Sequence, residues 1–186
     1  MPPPFARRML YTPVFHIDAN LINARQKLKA VNRLEKWFED EVILINMSSV
    51  AHAEAQAGGS AARTRKANAQ IFTATSPADE SDPLFRQVEA ALFPGGAANE
   101  NQRNDVRVVC EAAKYHAILV TADGASNSQP GGILGNRSEL PVQVLSPDEA
   151  VTFVEAKLRE RDDFNRRVVQ EFGGELPPWT GSDTDA

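Results

Sequence analysis

Four short stretches of the chain are continuously apolar and rich in β-branched residues: VFHI at 14–17, VILIN at 42–46, AILVT at 117–121 and VQVL at 142–145. Continuous rather than alternating runs are the mark of strands buried on both faces, as in a parallel sheet. Between them the apolar period lengthens to that of helices. Leu28, Val31, Leu34 and Phe38 outline one amphipathic helix, and residues 48–57 a second, opened by Ser48 or Ser49. SDPLFRQVEAALFPGG predicts a third, with Asp82 as cap, Pro83 in the first position and Pro94-Gly95 as stop. Val106, Val109, Cys110 and Ala113 fall at i, i+3, i+4 and i+7 on a fourth. SPDEAVTFVEAKL is a fifth, with Ser146 and Glu149 spaced as a capping box. Strands alternating with helices predict an α/β protein with a mainly parallel sheet.

Three segments fall outside this pattern. PGGAANENQRN at 94–104 and the stretch 124–139 are expected to be loops that could rim a site. The end, GGELPPWTGSDTDA, is expected to be flexible. The domain is therefore expected at 12–172, with 1–11 and 173–186 as flexible termini and 58–104 as a longer helical and loop insertion. The later part of 146–172 is expected either to pack on the sheet or to pair with a second copy in a homodimer.

In an open parallel sheet, ligands bind beyond the carboxyl ends of the strands. Four acids are expected there. Asp18 and Asp123 each follow a strand, Glu54 lies on the helix after VILIN, and Asp105 is placed at the start of the helix leading to AILVT. Each alone has a structural explanation, as a strand-end or turn residue, a helix cap (for which Asn104 competes with Asp105), or a half-exposed helical Glu. Together they point to a carboxylate cluster. Such a cluster cannot stay ionised without compensation. A hard divalent cation supplies that compensation, and oxygen ligands suit Mg2+ or Mn2+. The natural substrate group is a phosphodiester, attacked by a water that the cation makes more acidic.

These residues resemble the pattern of PIN-domain nucleases. The matching positions are Asp18 with Asn20, Glu54 in VAHAEAQ, Asp105 opening NDVRVVCEAAKYHAILVTAD, and Thr121 with Asp123. The resemblance spans about residues 12 to 147 and is most specific between Asp105 and Asp123. It implies a three-layer α/β/α PIN-like fold with a central, mainly parallel sheet. It implies a Mg2+- or Mn2+-dependent endoribonuclease whose four acids hold one or two metals, with Asn20 and Thr121 in support. It also brings a VapC-like toxin silenced by an antitoxin protein into view, beside a housekeeping RNase. The chain departs from the compact family form in the length of 58–104 and in Gly124-Ala125 after the last acid.

Charge and composition narrow the alternatives. A net charge of -5 and a pI near 5.3 argue against a generally basic nucleic-acid coat. Local basic residues could still meet RNA phosphates: Arg63, Arg65 and Lys66 in one segment, and Arg103, Arg107 and Arg137 near the expected loops. The one cysteine, Cys110, leaves no internal disulfide and no Cys-rich zinc site. His16, His52 and His116 show no zinc spacing, and His16 is expected to be a satisfied core histidine. No signal peptide or membrane span is apparent, so the expected location is the cytoplasm. A haloacid-dehalogenase phosphatase would need a second Asp at position 20, where Asn20 stands. A non-catalytic PIN-like module for binding RNA or protein is the other alternative.

Overall fold

The computed structural model describes residues 5–23, 25–57, 59–69, 73–124 and 131–184. The part of the expected 124–139 loop at 125–130 lies outside them. The chain begins its regular structure with β1 (Phe15–Ile17), then α1 (Lys29–Glu39), β2 (Ile45–Met47), α2 (Ser49–Ala57) and α3 (Ala61–Ala67). After β3 (Thr73–Ala74) come α4 (Pro83–Leu92), α5 (Glu100–Lys114), β4 (Ile118–Val120), the short α6 (Gly132–Gly135), β5 (Val144–Leu145) and α7 (Pro147–Phe172). The strands form one sheet in the order β3-β2-β1-β4-β5. Every pairing is parallel, with Ile17 opposite Met47 on one side and Val120 on the other.

Strand side chains alternate between two cores. Phe15, Ile17, Ile45, Met47, Ile118 and Val120 face one, shared with Leu34 and Trp37 of α1 and Val154 and Leu158 of α7. Leu119 and Val144 face the other, shared with Phe85 and Val88 of α4, Val106 and Val109 of α5, and Ile133 of α6. Helices thus cover both sheet faces, which is why the strands carry no polar side to the solvent. The result is the three-layer α/β/α architecture, with an entirely parallel sheet.

The expected helix signals are realised locally. The Asp82 side chain accepts from Leu84 N ahead of Pro83, and Ser146 and Glu149 form a complete capping box. Four expectations change. The strand placed at 42–46 runs instead at Ile45–Met47, although Val42 and Ile43 are buried ahead of it. The 58–104 segment adds the short strand β3 to the helices and loops expected of it. The expected loop at 94–104 already contains the first turn of α5, capped by Asn99 through Gln102 N, so Asp105 sits inside the helix rather than at its start. The C-terminal segment is anchored: Trp37 Nε1 donates to the Asp183 carbonyl at 2.7 Å, and the Asp183 carboxylate meets Arg8 at 2.8 Å and Arg161 at 3.0 Å. Among the described residues, no helix is long and apolar enough to cross a membrane.

Candidate functional site

β1 and β4 are neighbours in the centre of the sheet, so the residues that follow them meet. Asp18 N continues the ladder by donating to the Val120 carbonyl at 3.0 Å. Its carboxylate accepts from the buried Thr121 hydroxyl at 2.7 Å and from Asn20 Nδ2 at 2.9 Å, both on Oδ2. The same Thr121 oxygen accepts from Asp123 N at 3.0 Å and from Asn20 Nδ2 at 3.2 Å. One threonine therefore ties the first acid to the backbone of the last. The Asp123 carboxylate is held from beyond the strand, where Ile133 N donates to Oδ2 at 2.7 Å. Gly132, at φ +45°, makes this approach feasible: a Cβ there would stand 2.6 Å from that oxygen.

Glu54 and Asp105 come from α2 and α5, which flank these strand ends. The Glu54 side chain is exposed, and Asn104 Nδ2 donates to its Oε1 at 2.8 Å. Arg107 donates to Asn104 Oδ1 at 2.7 Å, which fixes which end of that amide faces Glu54. Asn104 thus acts on the acid from α2, not as a cap of its own helix. Nothing in the sequence distinguishes it from its competitor role beside Asp105.

Asp18, Glu54 and Asp123 lie near enough to Asp105 to act on its charge. Burial first, and then the charges of Asp123, Asp18 and Glu54, together raise the Asp105 carboxyl to about 7. Burial likewise raises Asp18 to about 6, opposed by the Thr121 hydrogen bond and reinforced by Glu54 and Asp123. No cation appears among the groups acting on either acid. A cavity of about 210 Å³ opens beside Asp105 and Asp123. Among the described residues, however, no three Asp, Glu, His or Cys side chains are gathered tightly enough to form a ready-made metal site. The donor set, all carboxylate oxygen, still fits a hard divalent cation and no soft one.

The six basic candidates divide. Arg63 donates to the Ala19 carbonyl at 2.8 Å, one residue from Asp18, and Arg65 and Arg103 are exposed. Lys66 pairs with the buried Glu35 at 2.7 Å, Arg107 with Glu80 and Glu100, and Arg137 with Glu149 at 2.9 Å. These last three have carboxylate partners in place of the phosphates expected for them. His16 is buried as expected, but neither ring nitrogen has a partner among the described residues. Burial lowers its pKa to about 4, so it is neutral in the core.

Another buried acid carries no signal in the sequence. Glu111 on α5 is fully buried and accepts from Ser49 N at 2.8 Å, Ser49 Oγ at 2.7 Å and Thr75 Oγ1 at 2.8 Å. It caps the start of α2 and so fixes the helix that carries Glu54.

No family model and no curated protein sequence matches the chain. Solved structures with a similar fold include a chain of VapBC2 from Rickettsia felis, solved bound to a DNA fragment from their promoter. The two are 15% identical with a TM-score of 0.49, over 72% of this chain and 98% of that one. A chain of FitAB bound to an IR36 DNA fragment is 16% identical with a TM-score of 0.45, over 72% of this chain and 94% of that one.

Proposed function

We propose that the chain is a PIN-type endoribonuclease, hydrolysing RNA phosphodiester bonds with Mg2+ or Mn2+ held by Asp18, Glu54, Asp105 and Asp123. The observation that supports this reading is the convergence of four carboxylates from four separate segments: burial first, and then the charges of Asp123, Asp18 and Glu54, raise Asp105 to about 7. Carboxylates that resist ionisation while alone are relieved by a bound cation. When bound, the cation would neutralise the phosphate and make a water more acidic. The chain's own residues do the positioning. Thr121 and Asn20 fix Asp18, Ile133 N fixes Asp123, and Asn104 fixes Glu54. Arg63, beside Ala19, and the exposed Arg103 are the bases best placed for RNA phosphates.

The absence of a tightly gathered acid triad among the described residues favours a second reading, a PIN-like module that binds RNA or protein without cutting. The two separate in one experiment. Labelled structured and single-stranded RNAs are incubated with Mn2+ or Mg2+ and wild-type protein, beside Asp18→Asn and Asp123→Asn. The nuclease reading expects metal-dependent cleavage that falls on the order of a hundredfold or more in both variants, at least the loss seen when ligand supports are removed. Calorimetry with Mn2+ should show binding by wild type and weaker binding by both variants. No cleavage and no Mn2+ binding would leave the module. The resemblance in sequence admits both a toxin with a cognate antitoxin and a housekeeping RNase; arrest of growth on induced expression, relieved by Asp18→Asn, marks the toxin.

A further inference from the structure

The cavity beside the acids has two kinds of wall. Asp105 and Asp123 line it together with the apolar Leu92, Phe93 and Ile133, and Gln102 and Asn136 bring amides to it. An apolar wall gives nothing to a phosphate or a hydrated cation. Flat apolar faces with a hydrogen-bonding edge are instead the properties of a nucleobase. At about 210 Å³ the space is below the roughly 300 Å³ at which drug-sized ligand sites begin, so it suits one ring system rather than a longer stack.

The walls are fixed in place. Phe93 ends α4, with its N–H on the Glu89 carbonyl at 2.7 Å and its own carbonyl accepting from Gly96 N at 2.8 Å. Gln102 Oε1 already accepts from Ala98 N at 2.6 Å, which leaves its Nε2 as a donor. Asn136 Nδ2 already donates to the Gly132 carbonyl at 2.8 Å, which leaves its Oδ1 as an acceptor. One donor and one acceptor beside an aromatic ring match what sequence-selective proteins offer an unstacked RNA base.

We propose that this cavity is a subsite for one unpaired base of single-stranded RNA next to the scissile phosphate. The base stacks on Phe93, and Gln102 and Asn136 read its edge. The inference rests on the nuclease reading of the acids, and its test is built to fail separately from that reading. Binding is measured by fluorescence anisotropy without divalent cation, on Asp18→Asn protein, with a short single-stranded RNA and a series carrying one abasic nucleotide at each position in turn. An abasic nucleotide at one position should weaken binding on the order of tenfold, within the range of base–aromatic stacking. Adding Phe93→Ala should weaken the intact RNA equally and the abasic RNA no further, while Phe93→Tyr restores affinity. Equal affinity for the whole series, or an unchanged affinity in Phe93→Ala, overturns the subsite. Cleavage of the same RNAs by wild type with Mn2+ separates the two ideas. Cutting without any base effect ends the subsite and keeps the nuclease. A base effect on binding without cutting under any metal keeps the subsite and ends the nuclease.

Discussion

Asp183 and Asp18 are both almost removed from solvent, at 2% and 8% exposure, and their surroundings differ in kind. Asp183 lies between Arg8 and Arg161, and Arg161 in turn meets Asp162 at 2.7 Å and stacks over Trp179 at 4.5 Å. Asp18 has a hydroxyl and an amide as partners and other acids as neighbours. The first cluster contains its own countercharge and joins the two ends of the chain. The second has its donors but no cation from the protein. A fold that compensates one buried acid with two arginines and leaves another uncompensated has treated them as parts of different machinery. The first stabilises; on the proposed nuclease reading, the second takes up charge from outside.

The comparison breaks most sharply at the anchor. Asp183→Ala strips a buried carboxylate from Arg161, itself 6% exposed, and leaves two arginines, Arg8 and Arg161, with Asp162 as the one buried acid still paired to the second. Removing one partner of a buried pair costs about 3–5 kcal/mol when the other charge is left alone, and the lower end is expected here because Arg161 keeps Asp162. The melting temperature should fall by roughly 6–20 °C in a chain of this size. RNA cleavage per folded molecule at low temperature should be unchanged. A variant that melts like wild type would show the C-terminal segment to be incidental to stability.

The acid cluster should respond with the opposite sign. Asp105 binds its proton more tightly when folded, about 7 against an ordinary 3.8. The native state therefore holds more protons than the unfolded state between these values, and stability falls as pH rises through that window. Above pH 7 the cost of burying the charge, with the repulsion of the other acids added to it, is fully present. Asp105→Asn removes it, so the metal-free variant should be more stable than wild type at pH 8 by roughly 1–2 kcal/mol, discounted because the group is only partly buried. The gain should vanish near pH 4. His16, with its pKa lowered to about 4, tilts both proteins alike below pH 6.5 and cancels in the difference. Urea unfolding of the two proteins at pH 8 and pH 4 checks this. A variant less stable than wild type at both pH values would mean that Asp105 is held by attraction rather than strained by burial and repulsion.

The two regions were also unequally legible before the structure. The acids could be placed together because strand ends in a parallel sheet converge and each acid adjoins a strongly patterned element. The anchor could not: its tail is Gly-, Pro- and acid-rich, the composition of a loose terminus, and only contact with Trp37, Arg8 and Arg161 gives it a place. The start of α5 was hidden for a related reason. Its first six residues, Glu100 to Asp105, carry no apolar period, and the Asn99 cap stands in a Gly- and Asn-rich stretch that reads as loop. β3 was hidden because two residues are too short for a period. Glu111 broke the rule that glutamate lies outside, since its three donors come from Ser49 and Thr75, distant in the chain. Patterned elements announce themselves; polar contacts between distant segments do not.

Asn104 offers the finest division between stabilising and functional charge, because its bond to Glu54 is at the surface and its loss should barely alter stability. The chain runs from Glu80 and Glu100 through Arg107 to Asn104 and then to Glu54. Arg107 therefore holds an amide that holds an acid. Asn104→Leu removes the last link without adding charge. Unfolding free energy should change by less than about 0.5 kcal/mol, the usual range for an exposed substitution. Mn2+ affinity measured by calorimetry should fall roughly tenfold, the lower end of what losing a ligand's supporting hydrogen bond costs. Asn104→Gln, which keeps the amide one methylene further out, should recover part of the loss. If Asn104→Leu binds Mn2+ as wild type does, then Glu54 orients itself or is not a ligand. The same titration on Glu54→Gln distinguishes these, since only a true ligand would lose affinity there.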